Sequence, residues 1–341
     1  MRFGVFTGGG DCPGLNAVIR AIVRKGIDVY GHQVVGFRDG WRGPLEGDHE
    51  ELTIESTRGI LPRGGTILGT SRTNPFKRDD GPRLIADNLG ALGLDGLIAI
   101  GGEDTLGAAN RLHAEHGLNL VGVPKTIDND IPGTDMTFGF DTAVSIATEA
   151  LDRIATTAES HNRIMVVELM GRTRGWIATY AGIAAGADAI LVPELEPDLD
   201  AVAATIRARH RHGRTYSIVV VAEGCGAPRG EAVGAGIDAF GFERLGGVGY
   251  LFGTELERLT GFETRVTVLG HLQRGGTPTA FDRVLATRFG VAAVDLAVAG
   301  RFGEMAALRG TEVIGVPLAD ACGEVRSVDA ALLDVAQTFF G

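Results

Sequence analysis

The strongest constraint in this 341-residue chain is a local pattern that recurs along it: short runs of Val, Ile and Leu, each closed by a glycine-rich or acidic loop and followed by a longer segment of helical period. Continuous apolar runs are the mark of strands buried on both faces, and the helix between two such runs returns the chain for the next parallel strand. The clearest cases are Arg2–Thr7 before Gly8-Gly9-Gly10-Asp11, Gly96–Ile100 before Gly101-Gly102-Glu103-Asp104-Thr105, and Leu120–Val123 before Pro124-Lys125-Thr126-Ile127-Asp128-Asn129-Asp130. Loops that leave the carboxyl ends of strands in an open α/β sheet line one crevice, so these three are expected to share a site. A second series follows, with strands at Ile164–Leu169, Ala189–Val192 and Ser217–Ala222 and helices at Gly175–Gly186 and Leu199–His212. A strand at Arg265–Leu269, a helix over about Thr279–Ala299 and a last helix near Val328–Phe340 complete an α/β chain in which no Pro/Ser-rich linker separates the halves.

Composition narrows the function classes. Glycine accounts for 52 of 341 residues, about twice the usual share. With no collagen-like period, that excess belongs to turns and close-approach loops. The 32 Lys+Arg against 43 Asp+Glu leave a net charge of −11, which argues against nucleic acid as a partner. No apolar run approaches the roughly 20 residues of a membrane span, and no secretory leader is expected. Cys12, Cys225 and Cys322 lie far apart, which suggests neither a disulfide framework nor a zinc site and suits the cytoplasm.

Each motif has two readings when taken alone. Gly8-Gly9-Gly10-Asp11-Cys12-Pro13-Gly14-Leu15-Asn16 stands between strand and helix, where backbone N–H groups suit a phosphate. It lacks the Walker A ending and the GxGxxG spacing, and fits a phosphate cradle or a ligand-free turn. Gly101-Gly102-Glu103-Asp104-Thr105 sets adjacent carboxylates after a buried strand, either beside a hard cation such as Mg²⁺ or as an acidic helix start. In Lys125–Asp130, carboxylates two apart share one side of an extended loop with Lys125 in reach, and a carboxylate there can take a hydroxyl proton. Chemistry outweighs an Asx-turn in this case, because a Lys and two Asp are a costly set for a mere turn. Arg163 and Met170-Gly171-Arg172-Thr173-Arg174-Gly175-Trp176 flank a strand with guanidinium groups, for phosphate capture or as a solvated surface. Gly270-His271-Leu272-Gln273-Arg274-Gly275-Gly276 pairs a neutral donor with a cation, or His271 is a satisfied, partly buried histidine.

Together, Gly8–Asn16, Leu68–Arg72, Gly101–Thr105, Thr126–Asp130, Arg163–Arg172, Glu223, Glu263–Arg265 and Gly270–Gly276 resemble the 6-phosphofructokinase family in order and approximate spacing, nearly end to end. The resemblance implies the phosphofructokinase fold, with two Rossmann-like α/β domains of mainly parallel sheet and an active site in the cleft between them. It also implies transfer of a phosphoryl group to the 1-hydroxyl of fructose 6-phosphate. Asp128 then matches the general base, Arg72 and Arg172 match arginines that neutralise the transferring group, and Thr126 matches a residue that holds it. Such chemistry depends on positioning and charge stabilisation. Met170, Gly171, Arg172 and Glu223 match residues around the sugar, with Thr126, Asp128 and Asp130 also on the substrate side. Arg163, Arg265, His271 and Arg274 match the clamp for its 6-phosphate. Family members draw Arg163 and Arg265 from a neighbouring subunit, which implies a homodimer or homotetramer. Gly10, Gly102, Asp104, Thr105 and Lys125 fall on the donor, and Glu103 and Asp130 on Mg²⁺.

Two positions decide the donor. ATP-using members typically show Gly-Gly-Asp-Gly-Ser/Thr and Pro-Gly-Thr-Ile-Asp-Asn-Asp, and Asp104 and Lys125 stand where those motifs carry glycine. Both substitutions match the pyrophosphate-using branch. A side chain at 104 fills space and adds negative charge where the ATP α-phosphate lies, and Lys125 adds a cation, and with it a catalytic role, beside the remaining phosphates. The expected reaction is reversible, Mg²⁺-dependent transfer from pyrophosphate to fructose 6-phosphate, giving fructose 1,6-bisphosphate and phosphate and serving glycolysis or gluconeogenesis. The alternatives are an ATP-dependent or dual-donor member, or a catalytically silent sugar-phosphate sensor, which the presence of Asp128, Asp130, Arg72 and Arg172 opposes. Glu103, where many relatives have Asp, is one methylene longer. Trp41 and the Thr73–Phe76 stretch fall where ATP-using relatives hold adenine, but apolar packing explains them as well. Arg20 and Arg24, where part of a bacterial effector site lies, read as a solvated helix face, so strong allosteric control is not expected. The expected domains are 1–138 with about 250–300 for the donor, and 139–249 with about 301–341 for the sugar phosphate.

Overall fold

The computed structural model describes residues 1–226 and 247–338. Its strands are β1 (Arg2–Thr7), β2 (Gln33–Phe37), β3 (His49–Leu52), β4 (Gly96–Gly101), β5 (Leu120–Thr126), β6 (Phe138–Gly139), β7 (Ile164–Leu169), β8 (Ala189–Leu191), β9 (Ser217–Ala222), β10 (Thr264–Val268), β11 (Glu304–Arg309) and β12 (Glu312–Pro317). The helices are α1 (Leu15–Arg24), α2 (Arg42–Glu46), α3 (Gly81–Ala91), α4 (Glu103–His116), α5 (Phe140–His161), α6 (Trp176–Ala184), α7 (Leu199–Arg211), α8 (Val248–Thr260), α9 (Ala280–Val298) and α10 (Ala330–Thr338).

The chain divides into two compact units, Met1–Thr142 with Arg274–Val325, and Ala143–Gln273 with Arg326–Gly341. The first holds a sheet in the order β12-β11-β5-β4-β1-β2-β3, with β6 also paired to β5. β1, β2, β4, β5 and β11 run parallel, while β3 and β12 close the two edges antiparallel. β4 is buried at every position, as a strand covered on both faces must be. One layer of the core gathers Phe6, Phe37, Trp41, Ile85, Leu97, Leu106 and Leu112. Trp41 is 2% exposed, with its ring 4.4 Å from that of Phe6, so it serves the core.

The second unit holds an all-parallel sheet in the order β10-β7-β9-β8. Ile164, Val166, Val219 and Val221 pack with Ile206 of α7 and with Phe252 and Leu256 of α8.

The boundaries depart from the expected ones. The return to the first unit comes at Arg274 and not near residue 250, because α8 packs on the second sheet and β10 pairs with β7. The final crossing comes at Arg326 and not near 301, because β11 and β12 extend the first sheet beyond β5. Residues 339 and 340 of the expected last helix lie outside the described residues. Among the described residues, no helix is long and apolar enough to cross a membrane.

Candidate active site

In the first unit, the ends of β1, β4 and β5 meet as the pattern predicts. The N–H of Gly8 donates to the Ile100 carbonyl at 2.8 Å, and that of Gly9 to the Ser71 carbonyl at 3.1 Å. Thr70 Oγ1 donates to the Gly9 carbonyl at 2.6 Å. Gly9 has φ of 80°, a left-handed conformation that glycine adopts without steric cost. A Cβ at Gly10 would collide with the guanidinium of Arg274. The loop is therefore glycine because one residue must turn and the next must admit a cation.

That cation is joined by a second. Lys125, 3% exposed, donates from its ammonium to the Gly10 carbonyl. Burial pushes its pKa down, with the nearby Arg274 acting the same way and Cys12, Asp11 and Asp128 opposing. Two cations over a glycine turn, one of them desolvated, have the chemistry to attract an anion. Cys12 itself is inert, its thiol pushed up to about 12 by burial.

Gly102 caps α4, whose first turn carries Glu103 and Asp104. Both carboxylates are exposed, which fits the acidic-helix-start reading of the motif. Thr105 is buried against the turn, its Oγ1 2.7 Å from where a Cβ on Gly8 would stand. Burial first, and Asp104 second, raise the Glu103 pKa. Gly10, Gly102, Thr105, Lys125 and Arg274 are thus brought together at one end of the sheet.

The Thr126–Asp130 loop is not extended. Asn129, fully buried, has φ of 51°, and its side-chain oxygen accepts the Thr137 N–H at 3.0 Å. Asp128 donates its N–H to Thr126 Oγ1 at 3.0 Å. The left-handed residue between Asp128 and Asp130 interrupts the extended run that the expected alternation assumed. Both are half-buried. Arg72, exposed, follows Ser71 in the segment that pins Gly9. Arg274, the expected clamp residue that opens the return to this unit, has its guanidinium against the Gly10 turn.

The second unit carries the expected sugar residues in two separate places. Met170, Gly171 and Arg172 follow the carboxyl end of β7, Glu223 follows β9, and His271 lies exposed in the turn after β10. The Glu223 N–H donates to the Leu169 carbonyl at 2.8 Å and that of Gly224 to the Gly171 carbonyl at 3.0 Å, which ties the two loops. Arg163 and Arg265 sit at the opposite ends of β7 and β10, with Arg265 in register with Met165. Both pair with Glu263, the first at 2.8 Å. A six-residue strand spans roughly 20 Å, so within one chain these arginines cannot share a ligand with Met170.

Three buried polar residues escaped the sequence reading of site residues. Glu168, 1% exposed, accepts the N–H of Gly249 at 2.7 Å and of Gly247 at 3.0 Å, and so holds the start of α8. Gln273 and Asp282 are fully buried. A carboxylate inside an apolar strand run was the available signal for Glu168.

Residues 2–297 match the phosphofructokinase family. This chain belongs to that family. A Streptomyces coelicolor protein named pyrophosphate–fructose 6-phosphate 1-phosphotransferase is 59% identical to it over 344 residues, covering 100% of both. Another protein of the same organism, named ATP-dependent 6-phosphofructokinase 3, is 54% identical over 333 residues and 97% of each chain. The crystal structure of Pichia pastoris phosphofructokinase in the T-state superposes with a TM-score of 0.83 at 33% identity, over 99% of this chain and 36% of the other. Relatives named for pyrophosphate, at 56–59% identity, stand above those named for ATP, at 52–54%.

Proposed function

We propose that this phosphofructokinase transfers a phosphoryl group reversibly between pyrophosphate and the 1-hydroxyl of fructose 6-phosphate, with Mg²⁺. The observation that carries the reading is Lys125, a buried ammonium bonded to the Gly10 carbonyl beside Arg274. A small, highly charged donor with no nucleoside to anchor it gains most from a desolvated cation. Asp104, in the first turn of α4, adds bulk and negative charge where a longer polyphosphate would continue.

The remaining roles follow the chemistry. Asp128 takes the proton of the attacking hydroxyl, Thr126 and Lys125 hold the transferring group, and Arg72 and Arg172 neutralise its charge. Met170, Gly171, Arg172, Glu223 and His271 face the sugar phosphate. Mg²⁺ takes one or two carboxylates and keeps water and phosphate oxygens as its other ligands. Glu103, its carboxyl exposed but held up by partial desolvation and by the neighbouring Asp104, and Asp130 would hold it. Bound there, it would neutralise developing phosphate charge.

A homodimer or homotetramer accounts for Arg163 and Arg265, which stand at the wrong end of the sheet for their own chain's sugar loops and serve a neighbouring copy. Cys12, Cys225 and Cys322 are free thiols, which suits the cytoplasm.

Initial rates with fructose 6-phosphate and Mg²⁺, with pyrophosphate or ATP at matched concentrations, test the reading. Turnover with pyrophosphate alone is expected. Preference for ATP overturns the donor assignment, and inactivity with both overturns the reaction.

A further inference from the structure

The carboxyl end of β7 presents a problem that Gln273 solves. In a parallel sheet, alternate residues bond to alternate neighbours. On the β10 side, Glu168 pairs with Val268, and its carbonyl accepts the Leu269 N–H at 3.0 Å. The next residue of β7 to face that side is Met170, but β10 has ended and the chain turns through Gly270–Arg274. Met170 is buried, so its N–H would be left unsatisfied at a cost comparable to a lost hydrogen bond.

The side chain of Gln273, 0% exposed, fills this place. Its Oε1 accepts the Met170 N–H at 3.3 Å, and its Nε2 donates to the Gly270 carbonyl at 3.1 Å. The carboxamide adds one rung to the ladder where no strand remains. It also joins two of the segments of this unit that carry sugar-side residues, Met170-Gly171-Arg172 and the turn that bears His271. On the other side of β7, backbone bonds from Glu223 and Gly224 already tie the same loop to β9.

We propose that Gln273 is a positioning residue for the sugar phosphate. It sets the spacing between the Met170–Arg172 loop and the His271 turn without touching the ligand. The chemistry required is narrow, one acceptor and one donor on a planar group, and a neutral carboxamide supplies both. An ionised carboxylate accepts from Met170 but faces the Gly270 carbonyl with no proton to offer. A thioether of similar length does neither.

The proposal rests on the sugar-phosphate reading, and the test keeps the two apart. Wild-type turnover with fructose 6-phosphate and pyrophosphate checks that reading. Gln273→Met against wild type checks the proposal: KM for fructose 6-phosphate is expected to rise about tenfold with KM for pyrophosphate changed less than about twofold. Calorimetry with fructose 6-phosphate alone is expected to show the same loss. Gln273→Glu supplies a second readout. At about pH 8 it behaves like Gln273→Met, and at about pH 5.5 a protonated carboxyl donates to Gly270 and restores sugar-phosphate binding relative to wild type at that pH. Equal changes in both KM values, an unchanged KM for fructose 6-phosphate, or no recovery of Gln273→Glu at low pH overturns the proposal.

Discussion

The ammonium of Lys125, at the end of β5, is bonded to the backbone carbonyl of Gly10 in the turn after β1. The bond ties together the ends of two strands that flank β4 in the sheet, and fixes a buried charge over the glycine loop that a donor phosphate would enter. A cation held this way is expensive in the free protein, and a bound polyanion offsets the cost. On the proposed reading, the same residue would supply affinity for pyrophosphate.

Removing both donor determinants is expected to change the donor. In Asp104→Gly with Lys125→Gly, kcat/KM for pyrophosphate should fall by roughly 10- to 100-fold, the loss of a hydrogen bond to a charged group. The value for ATP should rise. Steady-state kinetics on the folded double variant checks this, and no gain with ATP counts against the assignment of Asp104 and Lys125.

Asp128→Ala is expected to lower kcat by about 10²–10⁴, the usual contribution of a general base, while calorimetry shows fructose 6-phosphate still bound. Substantial residual turnover would place the base elsewhere.

Strands buried on both faces are legible because nothing but apolar runs can fill them. β1, β7 and β9 fall at the residues expected, as does the loop after β1, whereas β4 runs on to Gly101 and β5 to Thr126, so that Lys125 and Thr126 stand in the strand and not in the loop after it. β11 was not legible. Glu304-Met305-Ala306-Ala307-Leu308-Arg309 has strong helix formers throughout, and only its pairing with β5 and β12 makes it a strand. This missed hairpin displaced the expected domain boundary. The Asp128–Asp130 geometry was hidden for a related reason, since the left-handed Asn129 depends on Thr137, eight positions on. The Gly10–Arg274 approach is likewise tertiary and has no local signal.

Asn129 offers a test of that loop. Asn129→Ala loses the bond to Thr137 and must hold a left-handed backbone, costing about 1–2 kcal/mol for the conformation alone. Asn129→Gly keeps the conformation and loses only the bond. Activity and thermal stability are expected to fall in the order wild type, Asn129→Gly, Asn129→Ala. An alanine variant that matches the glycine variant would show that the left-handed turn does not set the positions of Asp128 and Asp130.

Asp282, on α9, is buried where its Oδ2 accepts from Thr142 Oγ1 at 2.5 Å and from the Thr142 N–H at 2.8 Å, while Oδ1 has no hydrogen-bond partner. Burial pushes its carboxyl from 3.8 up to about 6. The native state therefore keeps this proton to higher pH than the unfolded chain, and stability from this group falls as pH rises from about 4 to 6 and stays low above that. Asp282→Asn removes the titration and retains an acceptor for Thr142. Its stability relative to wild type should accordingly increase between about pH 4.5 and pH 7.5 by about 2 kcal/mol, the part of the full shift that falls in this window. Guanidinium unfolding of both proteins at the two pH values measures the difference, in which titrations common to both cancel. A difference independent of pH would mean that Asp282 is ionised in the native state throughout this range, with its charge compensated by Thr142 and the α5 N-terminus.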